Sequence, residues 1–521
     1  MNKIVIATIL IFATSSFQSY FGQNGNKALT VEAIWRTYEF YGKSFSGFKS
    51  MNDGEHFTRT NRSKTGFSIT RHSFKNYKGK GELILDKKDL VFEGKAIKVD
   101  HYGFNQEETK LLIRTNSKSI YRRSYVADYF IFDLETKKLS PLDAKHKGQT
   151  LAEFSPDGNK IAYVSNNNLH IKDLVKNEIK AITKDGERNK IIYGTTDWVY
   201  EEEFAITKGF SWSQDSKHIA YLRFDESKVR EFQMAMFGEL YPNQYTYKYP
   251  KAGEDNSSVS CHLYELEDMK HRKVDLGDYE YIPRLNWSPV KNQLIVQTLN
   301  RHQNEVKYHL IDISNKKELK QRVFFTETSK TYVEIDDNLI ILNNGNSLLR
   351  KSEASGHNHV HQVNFDGTSK QITKGNWDVI QFLGVNEDEK TIYYSSAEKG
   401  AIHKGLYKVK LDGSGKKAIS SETGHNGAQF STGMKYFMKT YSNANTPTVY
   451  SLCDANGKQI ALLEDNQKLV NKLKDYNLSK KEFIEIQGAT QKLNAWMIKP
   501  SNFDPNKKYP VYVAIYGGPG A

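Results

Sequence analysis

Four times along the chain an aromatic residue and a serine lead into a tight turn, and an apolar run follows at once. Phe154-Ser155-Pro156-Asp157-Gly158 precedes Lys160-Ile161-Ala162-Tyr163-Val164, and Trp212-Ser213-Gln214-Asp215-Ser216 precedes His218-Ile219-Ala220-Tyr221-Leu222. Trp287-Ser288-Pro289 precedes Gln293-Leu294-Ile295-Val296-Gln297, and Phe430-Ser431-Thr432-Gly433 precedes Lys435-Tyr436-Phe437. A turn cluster between two strand-forming runs is the signature of a β-hairpin. The spacings are 58, 75 and 143 residues, the last close to twice a single repeat. Further short strand patterns occur at Leu83–Leu85, Tyr129–Leu134, Tyr308–Ile313 and Thr391–Tyr394. Repeats of roughly 40–60 residues built from short strands predict a β-propeller with four strands per blade. Seven or eight blades fit between residues 55 and 475.

Two segments depart from this rhythm. Residues 29–43 place Leu29, Val31, Ile34, Trp35, Tyr38 and Phe40 at helical spacing ahead of the blades. After Leu478 the pattern changes to Phe483-Ile484-Glu485-Ile486, Leu493 to Pro500, and the continuous apolar run Tyr512 to Tyr516 before Gly517-Gly518-Pro519-Gly520. A continuous apolar run of this kind predicts a strand buried in an α/β sheet. A buried strand with no partners after it implies that the domain continues past Ala521.

The N-terminus has a short positive region, Met1-Asn2-Lys3, and about ten apolar residues from Ile4 to Ala13. Roughly 20 apolar residues are needed to span a bilayer, so the run suits a cleavable signal peptide over residues 1–22. The expectation is an exported protein, periplasmic or secreted, with no stable membrane span.

Composition sharpens the picture in three places. At 521 residues the chain exceeds one simple domain. Its 31 Tyr and 27 Phe favour strands. The net charge of +13 could suggest nucleic acid, but the lysines are scattered as solvating pairs such as Lys87-Lys88 and Lys416-Lys417. No arginine-rich helix occurs, so no nucleic-acid partner is expected. Cys261 and Cys453 cannot be paired from sequence and are read as two free thiols.

Candidate chemistry centres on Asp197-Trp198-Val199-Tyr200-Glu201-Glu202-Glu203-Phe204. Three consecutive carboxylates repel one another and suit a strand poorly. Either they form a solvated acidic turn, or two of them converge on a cation. Adjacent residues on a strand point to opposite faces, so convergence predicts a short helical turn around residues 199–206. His357, His359 and His361 alternate as on one strand face, but no acidic or cysteine partner lies close in sequence, so no metal site is expected.

Several motifs in order give this chain a resemblance to the bacterial members of the dipeptidyl peptidase IV family, in the prolyl oligopeptidase group of serine peptidases. They are Ile120-Tyr121-Arg122-Arg123-Ser124-Tyr125, the acidic stretch above, Tyr247-Lys248-Tyr249-Pro250-Lys251-Ala252-Gly253, Leu299-Asn300-Arg301-His302-Gln303-Asn304, Thr373-Lys374-Gly375-Asn376-Trp377, and Tyr509-Pro510 leading to Tyr516-Gly517-Gly518-Pro519. The resemblance implies a mainly β fold: an eight-bladed propeller over residues 51–477, then the first strands of an α/β-hydrolase domain over 478–521. Residues 27–50 are implied to be a helical segment packing on the hydrolase part. The implied activity is release of Xaa-Pro or Xaa-Ala dipeptides from peptides with a free N-terminus, without a cofactor.

By motif position Glu202 and Glu203 match the family's pair that holds the substrate ammonium. Arg122 matches its carbonyl-gripping arginine, and Tyr516 its oxyanion-stabilising tyrosine. A homodimer is a further expectation from the resemblance, and prolyl tripeptidyl release or a non-catalytic propeller module are the alternatives. Two departures stand out. No G-x-S-x-G nucleophile elbow occurs in the 521 residues, so the serine, aspartate and histidine of a triad are expected beyond them. Where the family's animal members carry an arginine-aromatic element, this chain has Tyr332-Val333-Glu334-Ile335-Asp336, which leaves the extended substrate subsite open.

Overall fold

The computed structural model describes residues 25–45, 47–63, 66–289, 292–316 and 318–517. The signal peptide expected over 1–22 lies outside them. Strand makes up 47% of the chain and helix 5%, so each helix is an exception that needs its own cause. Eight antiparallel sheets succeed one another at 49–85, 101–141, 150–181, 191–273, 281–328, 340–371, 379–418 and 425–464, and we number them blades 1 to 8. Seven have four strands; blade 4 adds a short fifth, Phe210–Trp212. Together they form an eight-bladed β-propeller.

The aromatic-serine repeat is the hairpin joining the first two strands of blades 3, 5 and 8, and in blade 4 it joins the short strand Phe210–Trp212 to His218–Asp225. In each, the serine N–H donates across the turn: Ser155 to the Lys160 carbonyl (2.8 Å), Ser213 to His218 (2.9 Å), Ser288 to Gln293 (3.0 Å) and Ser431 to Tyr436 (2.8 Å). In three of them the serine hydroxyl accepts the returning N–H, from Lys160 (3.0 Å), His218 (2.9 Å) and Tyr436 (3.1 Å). The 143-residue interval holds three blade steps, not about two. Blades 6 and 7 make the same turn with Leu342 and Asn386 and so escape the pattern.

Apolar side chains fill each gap between blades. Ile69 and Ile113 meet between blades 1 and 2, Ile131 and Tyr163 between 2 and 3, Leu169 and Trp212 between 3 and 4. Leu263, Ile295 and Leu348 run through blades 4 to 6, Leu349 and Tyr394 join 6 to 7, and Tyr393 and Phe437 join 7 to 8. Each blade uses consecutive strands, so no shared strand closes the ring. Closure comes from Phe57 and Phe74 packing on Met438 and Leu452, with Thr432 N–H donating to Ser50 Oγ (2.9 Å) and Lys435 pairing with Glu55 (2.8 Å). Cys261 and Cys453 are buried free thiols in blades 4 and 8, on opposite sides of the ring.

Three expectations need correction. The helical pattern at 29–43 yields only the helix Val31–Trp35, capped by the Thr30 hydroxyl, which accepts from Ala33 N–H (3.1 Å). Val31 and Trp35 stay exposed, and Tyr38 turns to a positive φ of 51°, so the apolar residues find no common surface. The segment is tied to the stretch after the last blade: Phe40 packs on the Tyr476 ring (4.9 Å) and Glu39 pairs with Lys472 (3.0 Å). Blade 1 begins at Lys49, just ahead of residue 51, and a helix, Gln467–Leu473, falls within the span read as propeller. Finally, Tyr512–Tyr516 is not a buried strand. It pairs with nothing among the described residues, and Tyr512 and Tyr516 are 93% and 89% exposed. A strand is buried only when neighbours take its hydrogen bonds and its faces are covered, and here neither is provided. Among the described residues the only strand pairing after Leu478 is the hairpin Lys481–Gln487 with Lys492–Ile498.

Blade 4 carries an insertion, the hairpin Glu231–Met236 with Asn243–Lys248, whose tip exposes Phe237, Leu240 and Tyr241. Between blades 5 and 6, the buried Arg350 pairs with Glu327 and stacks over Tyr308 at 5.2 Å, while Ser352 donates its hydroxyl to the same carboxylate. Removing one partner of a buried pair strands the other charge and costs about 3–5 kcal/mol. Arg350→Ala is therefore expected to lower the unfolding free energy by that order and the urea midpoint with it. A midpoint within error of the native protein in urea titration would show that the pair does not bind the two blades.

Candidate functional site

The acidic stretch forms a helix, Trp198–Glu203, shorter than the turn predicted over 199–206 because Ala205 adopts a positive φ of 56°. Each residue of the stretch has a separate task. Asp197 is the N-cap: its carboxylate accepts from Tyr200 N–H (2.9 Å) and from the Ser257 hydroxyl (2.6 Å). Trp198 packs on Tyr249 at the base of the blade 4 hairpin (4.4 Å between rings). Tyr200 is 1% exposed, meets Phe224 and Phe204 edge-on, and its Oη accepts the Ile282 N–H (2.8 Å). That contact pins the helix to blade 5. At the other end Arg284 donates to the Phe204 carbonyl (3.0 Å) and pairs with Asp337. The acidic segment after blade 5 thus supplies a counter-charge to the arginine that caps this helix.

The three glutamates then diverge, since successive helical residues are rotated by about 100°. Glu201 is 1% exposed and faces the hairpin loop of blade 2, which lies 78 residues earlier in the chain. Its Oε1 accepts the backbone N–H of Arg123 (2.5 Å) and of Ser124 (2.8 Å), and the Arg123 guanidinium donates to the Glu201 carbonyl (3.0 Å). Glu202 is half-buried and pairs with Arg122 Nε at 3.2 Å. Glu203 is exposed.

Of the four residues singled out in the sequence, the structure brings Arg122 and Glu202 into contact and sets Glu203 beside them on the same helix. Tyr516 makes no hydrogen bond or ring contact with any of them, because the segment that carries it is exposed and unpaired. Glu201 and Arg284 were not singled out. A signal for Glu201 was present: three consecutive carboxylates on a helix cannot share one face, so one had to point back into the protein.

The other motifs serve the neighbourhood. Tyr247 packs against Tyr121 (5.7 Å), gripping the start of the Arg122 loop. Arg301 pairs with Glu280 (2.9 Å), whose carboxylate also accepts from Asn256 Nδ2 (2.7 Å). Trp377 lies over Gly375, where a Cβ would fall 2.0 Å from the indole nitrogen, so only glycine fits. The histidines do not converge. His359 is buried between Thr373 and the Gly375 carbonyl, His357 faces Asp378 (3.4 Å), and burial pushes His361 down to about 4. Among the described residues no group of three or more His, Cys, Asp or Glu could hold a metal.

Beneath the helix lies a second carboxyl, Glu226, 6% exposed. Burial raises it to about 8, and nearby Asp197 adds to the rise, while Lys248 and Arg188 oppose it. Burial likewise pushes Asp197 up, against the hydrogen bonds from Ser257 and Tyr200.

Comparison with known proteins places this arrangement. The family model for the dipeptidyl peptidase IV (DPP IV) N-terminal region matches residues 105–448. Dipeptidyl peptidase 4 of Trichophyton rubrum is 31% identical over 524 residues, covering 95% of this chain and 65% of that protein. A probable dipeptidyl-aminopeptidase B of Phaeosphaeria nodorum is 30% identical over 453 residues, covering 79% of this chain and 49% of that protein. The crystal structure of Porphyromonas gingivalis dipeptidyl peptidase 4 superposes with a TM-score of 0.87 at 36% identity, covering 93% of this chain and 69% of that one. The chain thus spans about half to two thirds of the length of these relatives.

Glu226 supplies a pH test of the helix foundation. Its folded value lies above the ordinary 4.5, so the folded state keeps a proton that the unfolded chain releases. The contribution of Glu226 to stability is then fully present below about 4.5 and is lost as pH rises towards 8, by at most about 1.4 kcal/mol per pH unit. Glu226→Gln, which cannot ionise, is expected to melt above the native protein by a margin that widens from pH 5 to pH 8. A constant margin across that window would contradict a buried, protonated Glu226.

Proposed function

Because this chain belongs to the dipeptidyl peptidase IV family, we propose that its complete gene product is an exported serine exopeptidase releasing Xaa-Pro or Xaa-Ala dipeptides from peptides with a free N-terminus. One observation carries the reading: the 3.2 Å contact of Arg122 with Glu202, which joins a basic and an acidic side chain from two distant segments. A desolvated ammonium has three donors to satisfy, and two carboxylates offer charge-assisted acceptors. Glu202 and Glu203 take that ammonium, and Arg122 both offsets their mutual repulsion and donates to a substrate carbonyl. Holding the amino end at a set distance from the nucleophile makes the second peptide bond the one that reacts.

The role of Tyr516 as an oxyanion donor rests on the Tyr516-Gly517-Gly518-Pro519 motif alone. The serine nucleophile belongs to a part of the hydrolase domain that the 521 residues do not hold, since no G-x-S-x-G occurs in them. Residues 478–521 begin that domain in this reading, and residues 1–22 export the protein to the periplasm or beyond.

The complete gene product, given a peptide beginning Ala-Pro, is expected to release the dipeptide and to leave the N-acetylated peptide intact. Release of tripeptides alone would favour the longer ruler of a prolyl tripeptidyl peptidase, and turnover of the acetylated peptide would remove the ammonium clamp. Within the same protein, Glu203→Ala is expected to cost about 2–5 kcal/mol of substrate stabilisation, roughly 30-fold or more in kcat/KM. A loss below about threefold would take Glu203 out of the clamp.

A further inference from the structure

We infer that Glu201 is the positioning residue of the clamp: its buried carboxylate, held on the backbone N–H groups of Arg123 and Ser124, sets Arg122 in register with Glu202. The inference rests on the ammonium-clamp reading above and deepens it, since the first glutamate of the three touches no substrate in that reading.

The Arg122–Glu202 contact cannot fix the geometry alone. Arg122 is 70% exposed in its side chain, and an exposed ion pair contributes little and holds its partners loosely. The loop that carries Arg122 is a hairpin connection between strands Lys110–Ser119 and Tyr125–Asp133 of blade 2. Its own closure within the hairpin is thin, with Ile120 N–H on the Ser124 carbonyl (2.9 Å) and Tyr121 N–H on the Ser124 hydroxyl (3.2 Å). An external brace is therefore needed to point Arg122 in one direction.

Glu201 supplies that brace from both sides. Its Oε1 receives two backbone donors, from the residue after Arg122 and the next, and these charge-assisted bonds lie at 2.5 and 2.8 Å on a carboxylate whose residue is 1% exposed. The Arg123 side chain returns the contact to the Glu201 backbone at 3.0 Å. The loop backbone is thus bound to the helix side chain, and the helix backbone to the loop side chain. Low dielectric strengthens such a reciprocal tie and makes its loss costly. Arg122 is bonded directly to Arg123 and Glu202 directly to Glu201, so the tie fixes the spacing of the two clamp residues to within one peptide unit on either side. A shift of about 1 Å at such a site can cost about 100-fold in rate.

The test uses the complete gene product. Glu201→Ala is expected to lower kcat/KM for an Ala-Pro substrate about 100-fold, and Glu201→Gln, which keeps an acceptor oxygen, to recover to within about tenfold of native. Adding Glu201→Ala to Arg122→Ala is expected to cost less than about threefold beyond Arg122→Ala alone, because the tie acts through Arg122. Multiplicative losses in the double variant, or a single Glu201→Ala within about threefold of native, overturn the inference. A readout independent of activity is amide hydrogen exchange: Arg123 and Ser124 lose protection in Glu201→Ala while the strands of blade 2 keep theirs. Uniform loss across blade 2 overturns the positioning role in favour of a folding one. A native protein that releases no dipeptide refutes the peptidase reading, and the exchange result still decides whether Glu201 holds the loop.

Discussion

A helix of six residues cannot hold itself in water, because nucleation costs more than so few hydrogen bonds return. The helix Trp198–Glu203 therefore exists only through what grips it from outside, and the whole site depends on that grip. Asp197 caps it and is held in turn by Ser257 of blade 4. Tyr200 reaches into the seam between blades 4 and 5 and takes a backbone N–H there. Arg284 of blade 5 fastens the last carbonyl. The grip sets the rotation of the helix, and the rotation decides where each of three successive carboxylates goes.

That division of labour resolves a problem that three adjacent negative charges would otherwise pose. Spread on one surface they would repel and raise one another's pKa. Fanned about a helix they meet three environments. Glu201 is consumed by backbone donors, Glu202 by a guanidinium, and Glu203 alone remains open to solvent. Burial pushes up both of the nearby buried carboxyls, Asp197 and Glu226.

The propeller supplies what a local motif cannot, which is the meeting of segments far apart in sequence. Loop 120–124 belongs to blade 2 and the acidic helix to blade 4, and their approach follows from the curvature of the ring. A ring closed without a shared strand, from Phe57 and Phe74 to Met438 and Leu452, holds its shape through packing at all eight seams. Within that frame the aromatic base of the blade 4 hairpin adds Tyr247 against Tyr121 and Tyr249 against Trp198, one contact for the Arg122 loop and one for the acidic helix.

Sequence alone determined what depends on local periodicity and turn chemistry. The aromatic-serine turns revealed a propeller because each closes its own hairpin with bonds spanning five residues. The acidic motif with Arg122, Glu202 and Glu203 was legible because side-chain type and order are written in the chain. The helical turn followed from the geometry of adjacent residues. What tertiary structure alone decided is everything set by long-range contacts. Periodicity at 29–43 gave no long helix, since amphipathic spacing forms one only when a surface receives it. The apolar run at Tyr512–Tyr516 is exposed and unpaired among the described residues, because burial of a strand depends on its neighbours and is not a property of the run itself. The inward turn of Glu201 onto the backbone of Arg123 and Ser124 was hidden for the same reason: a carboxylate's burial depends on the donors that meet it, and these lie 78 and 77 residues away.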